Sequence, residues 1–129
     1  MDTLMHPGFQ TEIEFELPKG YVDDEGILHR HGTMRLATAA DEILPLRDPR
    51  VQQNEAYLAV IVLARVVTRL GSLPDIHTGV VERLYASDMA YLQRLYEKFN
   101  AEETNLDQVS EKQWTGGGTL RRFTAVGEA

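Results

Sequence analysis

A long apolar stretch in the middle of the chain constrains the fold most. Asp48 and Pro49 pair an N-cap carboxylate with a proline at the first helical position, and Gly71 supplies a C-terminal stop. This spacing predicts one helix over Pro49–Leu70, about 33 Å long at 1.5 Å per residue. Its most apolar part, residues 56–64, is far shorter than the roughly 20 residues needed to cross a bilayer.

The predicted helix is apolar in nearly every direction. Arg65 is its only charged residue between positions 57 and 67. Arg65 shares a narrow polar stripe with Arg69 and Asn54, and Leu58 and Val62 lie in or beside that stripe. A helix that is apolar on all sides must be covered on all sides. One hairpin and two further helices offer limited cover, so we expect Leu58, Val62 and Arg65 to bind another chain or a second copy of this one.

A β-hairpin is predicted before this helix. Residues 11–17 alternate between apolar side chains and glutamates, which is typical of a half-buried strand with a charged outer face. Asp23–Gly26 has the composition of a turn. Ile27–Ala37 then forms the second strand, and Gly32 suggests a bulge within it.

Three shorter helical segments complete the predicted domain. Thr38 and Asp41 have capping-box spacing at the start of a helical turn that ends before Pro45. A short helix is predicted over residues 75–86, and an amphipathic helix capped by Ser87 over residues 88–100. The apolar side of the latter consists of Met89, Tyr91, Leu92, Leu95, Tyr96 and Phe99.

These elements predict an α+β fold: an N-terminal β-hairpin, a small three- to four-helix domain and a flexible C-terminal tail. The expected organisation is a flexible arm (residues 1–10), one domain (11–100) and an extended or disordered interaction tail (101–129). The tail has little periodicity and contains three consecutive glycines. Trp114, Leu120 and Phe123 are isolated apolar residues within it, and we expect them to anchor on a partner protein.

Composition narrows the classes of function. The 13 basic and 20 acidic residues give a net charge of −7, and the acidic N-terminal part disfavours nucleic-acid binding. The absence of cysteine excludes disulfides and thiolate chemistry. The first residues lack the basic start and apolar core of a secretory signal, so we expect a cytoplasmic protein without membrane insertion.

A metal site is the strongest chemical alternative. His29 and His31 are two apart on a predicted strand, and Asp23 or Asp24 could add a third ligand. The remaining histidines would have to approach from distant parts of the chain, so we interpret these residues as polar groups of the hairpin. The sequence contains no EF-hand loop, phosphate-binding loop or Gly-x-Ser-x-Gly motif. We therefore predict no catalytic residues, no metal and no cofactor.

The order of elements resembles a known family. Three segments within residues 11–100 are similar to small phage tail assembly proteins. They are FELPKGYVDDEGILHRHGTMRLATAADEI, DPRVQQNEAYLAVIVLARVVTRLG and VVERLYASDMAYLQRLYEKFN. These are tail assembly chaperone-type proteins of contractile tails and related contractile injection systems. The strongest similarities are FELP at residues 15–18, Met34-Arg35, Asp41-Glu42, the segment Leu63–Gly71 and the spacing of Asp88, Leu92 and Tyr96.

The resemblance implies a non-enzymatic protein that holds a tube or tape-measure protein until polymerisation. It assigns no catalytic residues and does not extend beyond residue 100. A permanent structural adaptor of the baseplate or cap is the alternative, since a helical domain with extended ends could join neighbouring subunits. Partners would be tail tube, tape-measure or baseplate proteins, and the protein could remain in the finished particle.

Overall fold

The computed structural model of the chain describes residues 10–101 and has an α+β fold. Three strands form one antiparallel sheet in the order β1-β2-β3. The predicted α+β class and N-terminal hairpin are therefore confirmed, and a third strand is added. In chain order the elements are β1 (Glu12–Val22), β2 (Leu28–Arg35), α1 (Ala39–Ile43), a 3-10 turn (Leu44–Arg47), α2 (Pro49–Gln53), α3 (Tyr57–Val66), β3 (Val67–Leu70), α4 (Thr78–Glu82) and α5 (Ala86–Asn100).

The first strand is longer than the sequence pattern indicates. Instead of ending at Leu17, β1 continues to Val22 through an irregular stretch in which residues 17–20 lie opposite Arg30 alone. Arg30 Nε donates to the carbonyl oxygen of Leu17 at 3.1 Å. The Asp88 carboxylate of α5 accepts from the backbone N–H groups of residues 19 and 20, at 2.8 and 2.9 Å. Side chains thus replace the missing ladder hydrogen bonds.

The bulge expected at Gly32 is wrong, because Gly32 pairs in register with Phe15. Close packing explains the glycine. A Cβ atom at this position would lie 2.4 Å from the carbonyl oxygen of Arg69 and 2.5 Å from the Phe15 ring. Glycine allows the third strand and an aromatic ring to approach the backbone at one point.

The single long helix predicted over residues 49–70 is also wrong. Asn54 adopts an extended backbone that ends α2, and its side-chain oxygen accepts from the N–H of Ala56. This local side-chain hydrogen bond competes with the helical pattern and starts a new helix at Tyr57. The Asp48–Pro49 start is confirmed, with Asp48 accepting from the N–H of Arg50.

The end of the predicted long helix is a strand. The β-branched residues Val66, Val67 and Thr68 favour extended structure, and residues 67–70 pair with β2. Gly71 has the expected left-handed backbone, with φ of 56°, but it ends β3 instead of a helix.

One hydrophobic core joins the sheet to the helices. Helix α3 lies at its centre, and α5 packs against β1, where Tyr91 makes an edge-on ring contact with Phe15.

The predicted capping box of α1 is confirmed, and Leu92 and Tyr96 of α5 are buried. Helix α5 begins at residue 86 with Tyr85 as its N-cap, so the prediction of Ser87 as the cap is wrong. Helix α4 begins at Thr78, three residues later than predicted. Within residues 10–101, no helix has the length and apolarity to cross a membrane.

Candidate partner-binding surfaces

Two residues proposed as a partner surface belong to the interior. Leu58 and Val62 are 3% and 0% exposed, enclosed by the chain itself. Helix α3 is shorter than the sequence pattern predicts, and it is covered in addition by three short elements: α1, the 3-10 turn and α4. The expectation that Leu58 and Val62 form a surplus apolar surface is therefore wrong.

Arg65, the third of these residues, takes part in an intramolecular ion-pair network. Its Nε donates to Asp41 Oδ1 at 2.9 Å, and Arg35 donates to both oxygens of the same carboxylate at 2.8 and 3.0 Å. Asp41 also accepts from the backbone N–H of Thr38 at 2.7 Å. These donors, Arg35 above all, hold the pKa of Asp41 well below its usual range. The network fastens α1 to β2 and α3.

The last residue of α1 and the 3-10 turn that follows it present an exposed apolar surface immediately after this anchor. Ile43, Leu44 and Leu46 are 56%, 44% and 43% exposed, whereas Pro45 between them is buried. We call Ile43, Leu44 and Leu46 the 43–46 surface. Three half-exposed aliphatic side chains lie within four positions, and grouped exposed apolar residues often mark binding sites.

A second exposed apolar surface lies at the far end of the hairpin. Val22 and Leu28 are paired across the strands, and Ile27 precedes Leu28; their exposures are 49%, 52% and 49%. We call these three residues the tip surface. The 43–46 surface comes shortly after Arg35 in the chain, and Arg35 pairs with Glu12 at the opposite end of the hairpin.

Hydrogen bonds of Asp23 and His29 support the turn that carries the tip surface. Asp23 accepts from the backbone N–H groups of Glu25 and Ile27 at 2.8 and 3.0 Å. Its other oxygen lies 2.8 Å from Nε2 of His29, which is 3% exposed. His29 Nδ1 accepts from the N–H of Ser72 at 3.2 Å, so Nε2 carries the proton and donates to Asp23. These bonds lower the pKa of Asp23, through His29 first.

The same contacts give the histidines separate roles. His29 is buried and bonded at both ring nitrogens, whereas His31 is exposed with its Nε2 3.7 Å from Glu16. Across the described part of the chain, no group of three or more potential ligands is placed to hold a metal ion. Asp23 and His29 support the hairpin turn through the hydrogen bonds described above.

The other proposed anchors, Trp114, Leu120 and Phe123, lie outside the described residues. The sequence reasoning also missed both exposed surfaces. Their signal was present: VDDEGIL places apolar residues on both sides of a turn, and DEILPL places them at the end of a helix too short to bury them.

In comparisons with protein-family models, curated proteins and solved structures, nothing matched this chain.

Proposed function

We propose that this chain is a non-enzymatic assembly protein of contractile phage tails or related contractile injection systems. It would bind a tube, tape-measure or baseplate protein through the tip surface. The sequence resemblance supports the particle class. The tip surface replaces Leu58 and Val62 as the site of contact, because those two residues are buried.

The observation that carries the proposal is an apolar surface on a rigid support. Val22, Ile27 and Leu28 are each about half exposed, and the turn between them is held by the bonds of Asp23. A preformed turn loses little conformational entropy on binding, so more of the burial energy appears as affinity. Burying the remaining half of three aliphatic side chains supplies about 3 kcal/mol of gross stabilisation.

The mechanism requires only mass action. A tail protein whose adhesive surface is covered by this chain is removed from the pool that can polymerise. Polymerisation then starts when a growing tail competes successfully for that surface. A modest affinity suits this role, because the assembly protein has to be released.

Co-expression with candidate partners tests the proposal. The chain would be tagged and produced with the tube, tape-measure and baseplate proteins encoded near it, and retention of each would be measured. Ile27→Asp with Leu28→Asp is expected to abolish retention, because it places two charges in the apolar contact. Gln53→Asp, at an exposed position of α2, is the control and should retain binding.

The outcome also distinguishes a transient chaperone from a permanent adaptor. If none of these proteins is retained by the wild-type chain, or if the tip variant binds as well as the control, the proposal is wrong. Mass spectrometry of purified particles decides the remaining point. Absence from the particle supports the chaperone, whereas stoichiometric presence supports the baseplate or cap adaptor.

A further inference from the structure

The C-terminal end of α5 is fastened beside α1, the helix whose last residue, Ile43, begins the 43–46 surface. Asn100 Oδ1 accepts from the backbone N–H of Ala37 at 2.9 Å, and its Nδ2 donates to the carbonyl oxygen of Tyr96 at 2.9 Å. The hydroxyl of Tyr96 hydrogen-bonds Glu42 in α1. Ala101, the last described residue, therefore lies about one short helix away from Ile43.

The departing segment has the length and chemistry to return to that surface. Ala101 and Leu120 are about 19 peptide units apart, an extended reach of about 60 Å, while α1 is only about 7.5 Å long. The segment contains Trp114, Leu120 and Phe123 in otherwise polar surroundings. These apolar side chains match a surface of three exposed aliphatic residues.

We propose that residues 114–123 dock on the 43–46 surface of the same chain and cover it when no partner is present. Tethering favours this occupant over others. A segment joined by a short connection has an effective concentration in the millimolar range, so even a weak intrinsic contact is substantially occupied. A free partner at micromolar concentration would need far higher affinity to compete.

The docking makes the C-terminal segment a self-masking device. Without a partner, the full-length chain would hide one of the two exposed apolar surfaces found in residues 10–101, which limits aggregation and unspecific binding. Any protein that captures Trp114, Leu120 or Phe123 would uncover Ile43, Leu44 and Leu46 in the same step. This exchange operates whichever protein the tip surface binds.

Tryptophan fluorescence of the purified full-length chain tests the docking without any partner. The chain has one tryptophan, Trp114, so its acrylamide quenching reports the segment alone. We expect partial protection in the wild type. Because each side chain of the 43–46 surface has about half its area left to bury, one serine replacement should weaken docking about fivefold. The triple variant Ile43→Ser, Leu44→Ser and Leu46→Ser should expose Trp114 fully.

Two further variants keep the test decisive if the triple variant is unstable. Leu120→Ser with Phe123→Ser should expose Trp114 equally while leaving every described residue unchanged. The tip variant Val22→Ser, Ile27→Ser and Leu28→Ser removes a similar apolar area elsewhere and should leave the quenching at the wild-type value. Circular dichroism verifies that each variant is folded.

Three results would overturn the inference. Trp114 could be as accessible in the wild type as in the Leu120→Ser, Phe123→Ser variant, which would leave the 43–46 surface to another occupant such as the N-terminal residues. The tip variant could expose Trp114 as much as the 43–46 variant does. Protection could also disappear on dilution, which would assign the segment to a second copy.

Discussion

Replacing Asp41 by alanine tests whether α1 is held by its buried ion pairs. The carboxylate is 1% exposed and accepts from Arg35, Arg65 and Thr38. Removing one partner of a buried ion pair costs about 3–5 kcal/mol. Both arginine side chains remain about one-third exposed, at 33% and 36%, so water can hydrate them and the lower end applies. We expect a loss of about 3 kcal/mol in the free energy of unfolding.

That loss is large for a domain of this size. It corresponds to a fall of roughly 15 °C in Tm, which urea and thermal unfolding followed by circular dichroism would measure. The control is Asp24→Ala, an exposed residue of the hairpin turn, for which we expect a change within about 0.5 kcal/mol. A loss below about 1 kcal/mol for Asp41→Ala would refute the assignment of this network as the anchor of α1.

The pH dependence provides an independent check on the same residue. Because Arg35 lowers the pKa of Asp41, the unfolded chain binds this proton more readily than the folded one. The contribution of Asp41 is therefore complete above the unfolded pKa of about 3.9 and is lost as the pH falls towards the folded pKa. The stability difference between wild type and Asp41→Ala should shrink below about pH 4. An equal difference at pH 7 and pH 3 would contradict this linkage.

Two further substitutions test the backbone contacts of the hairpin. Gly71→Ala should cost at least about 2 kcal/mol in chemical denaturation, because the position has φ of 56° and a Cβ would lie 2.2 Å from His29 Nδ1. Gly26→Ala, with φ of 82° and nothing within 4 Å, is the control; equal losses would show that the contact with His29 is unimportant. Asp88→Asn should cost about 2 kcal/mol and speed amide exchange at Lys19 and Gly20; unchanged exchange would exclude its role in β1.

Local sequence signals predicted the parts of the fold that depend on local chemistry. The alternation in residues 11–17, the capping box of Thr38 and Asp41, and the Asp48–Pro49 helix start are all present in the structure. Each depends on side chains and backbone only a few residues apart. Such interactions have few competitors from the rest of the chain.

Apart from the local break of the helix at Asn54, the main errors occurred where a long-range contact decided the outcome. Periodicity made residues 49–70 one helix, but β2 offered residues 67–70 a strand to pair with, and β-branched side chains fitted it. The extension of β1 beyond Leu17 depends on Asp88, some 70 residues away. No short window of sequence contains both partners of these interactions.

The sequence by itself determined the α+β composition, the hairpin turn, the capping box of α1 and the Asp48–Pro49 helix start. Only the tertiary structure decided which apolar residues are covered. Leu58 and Val62 are apolar in a helix with no polar face, and they are buried; Ile27 and Leu44 are equally apolar, and they are exposed. Burial is a property of the surrounding elements, so hydrophobicity identifies candidates for a binding surface, and packing selects among them.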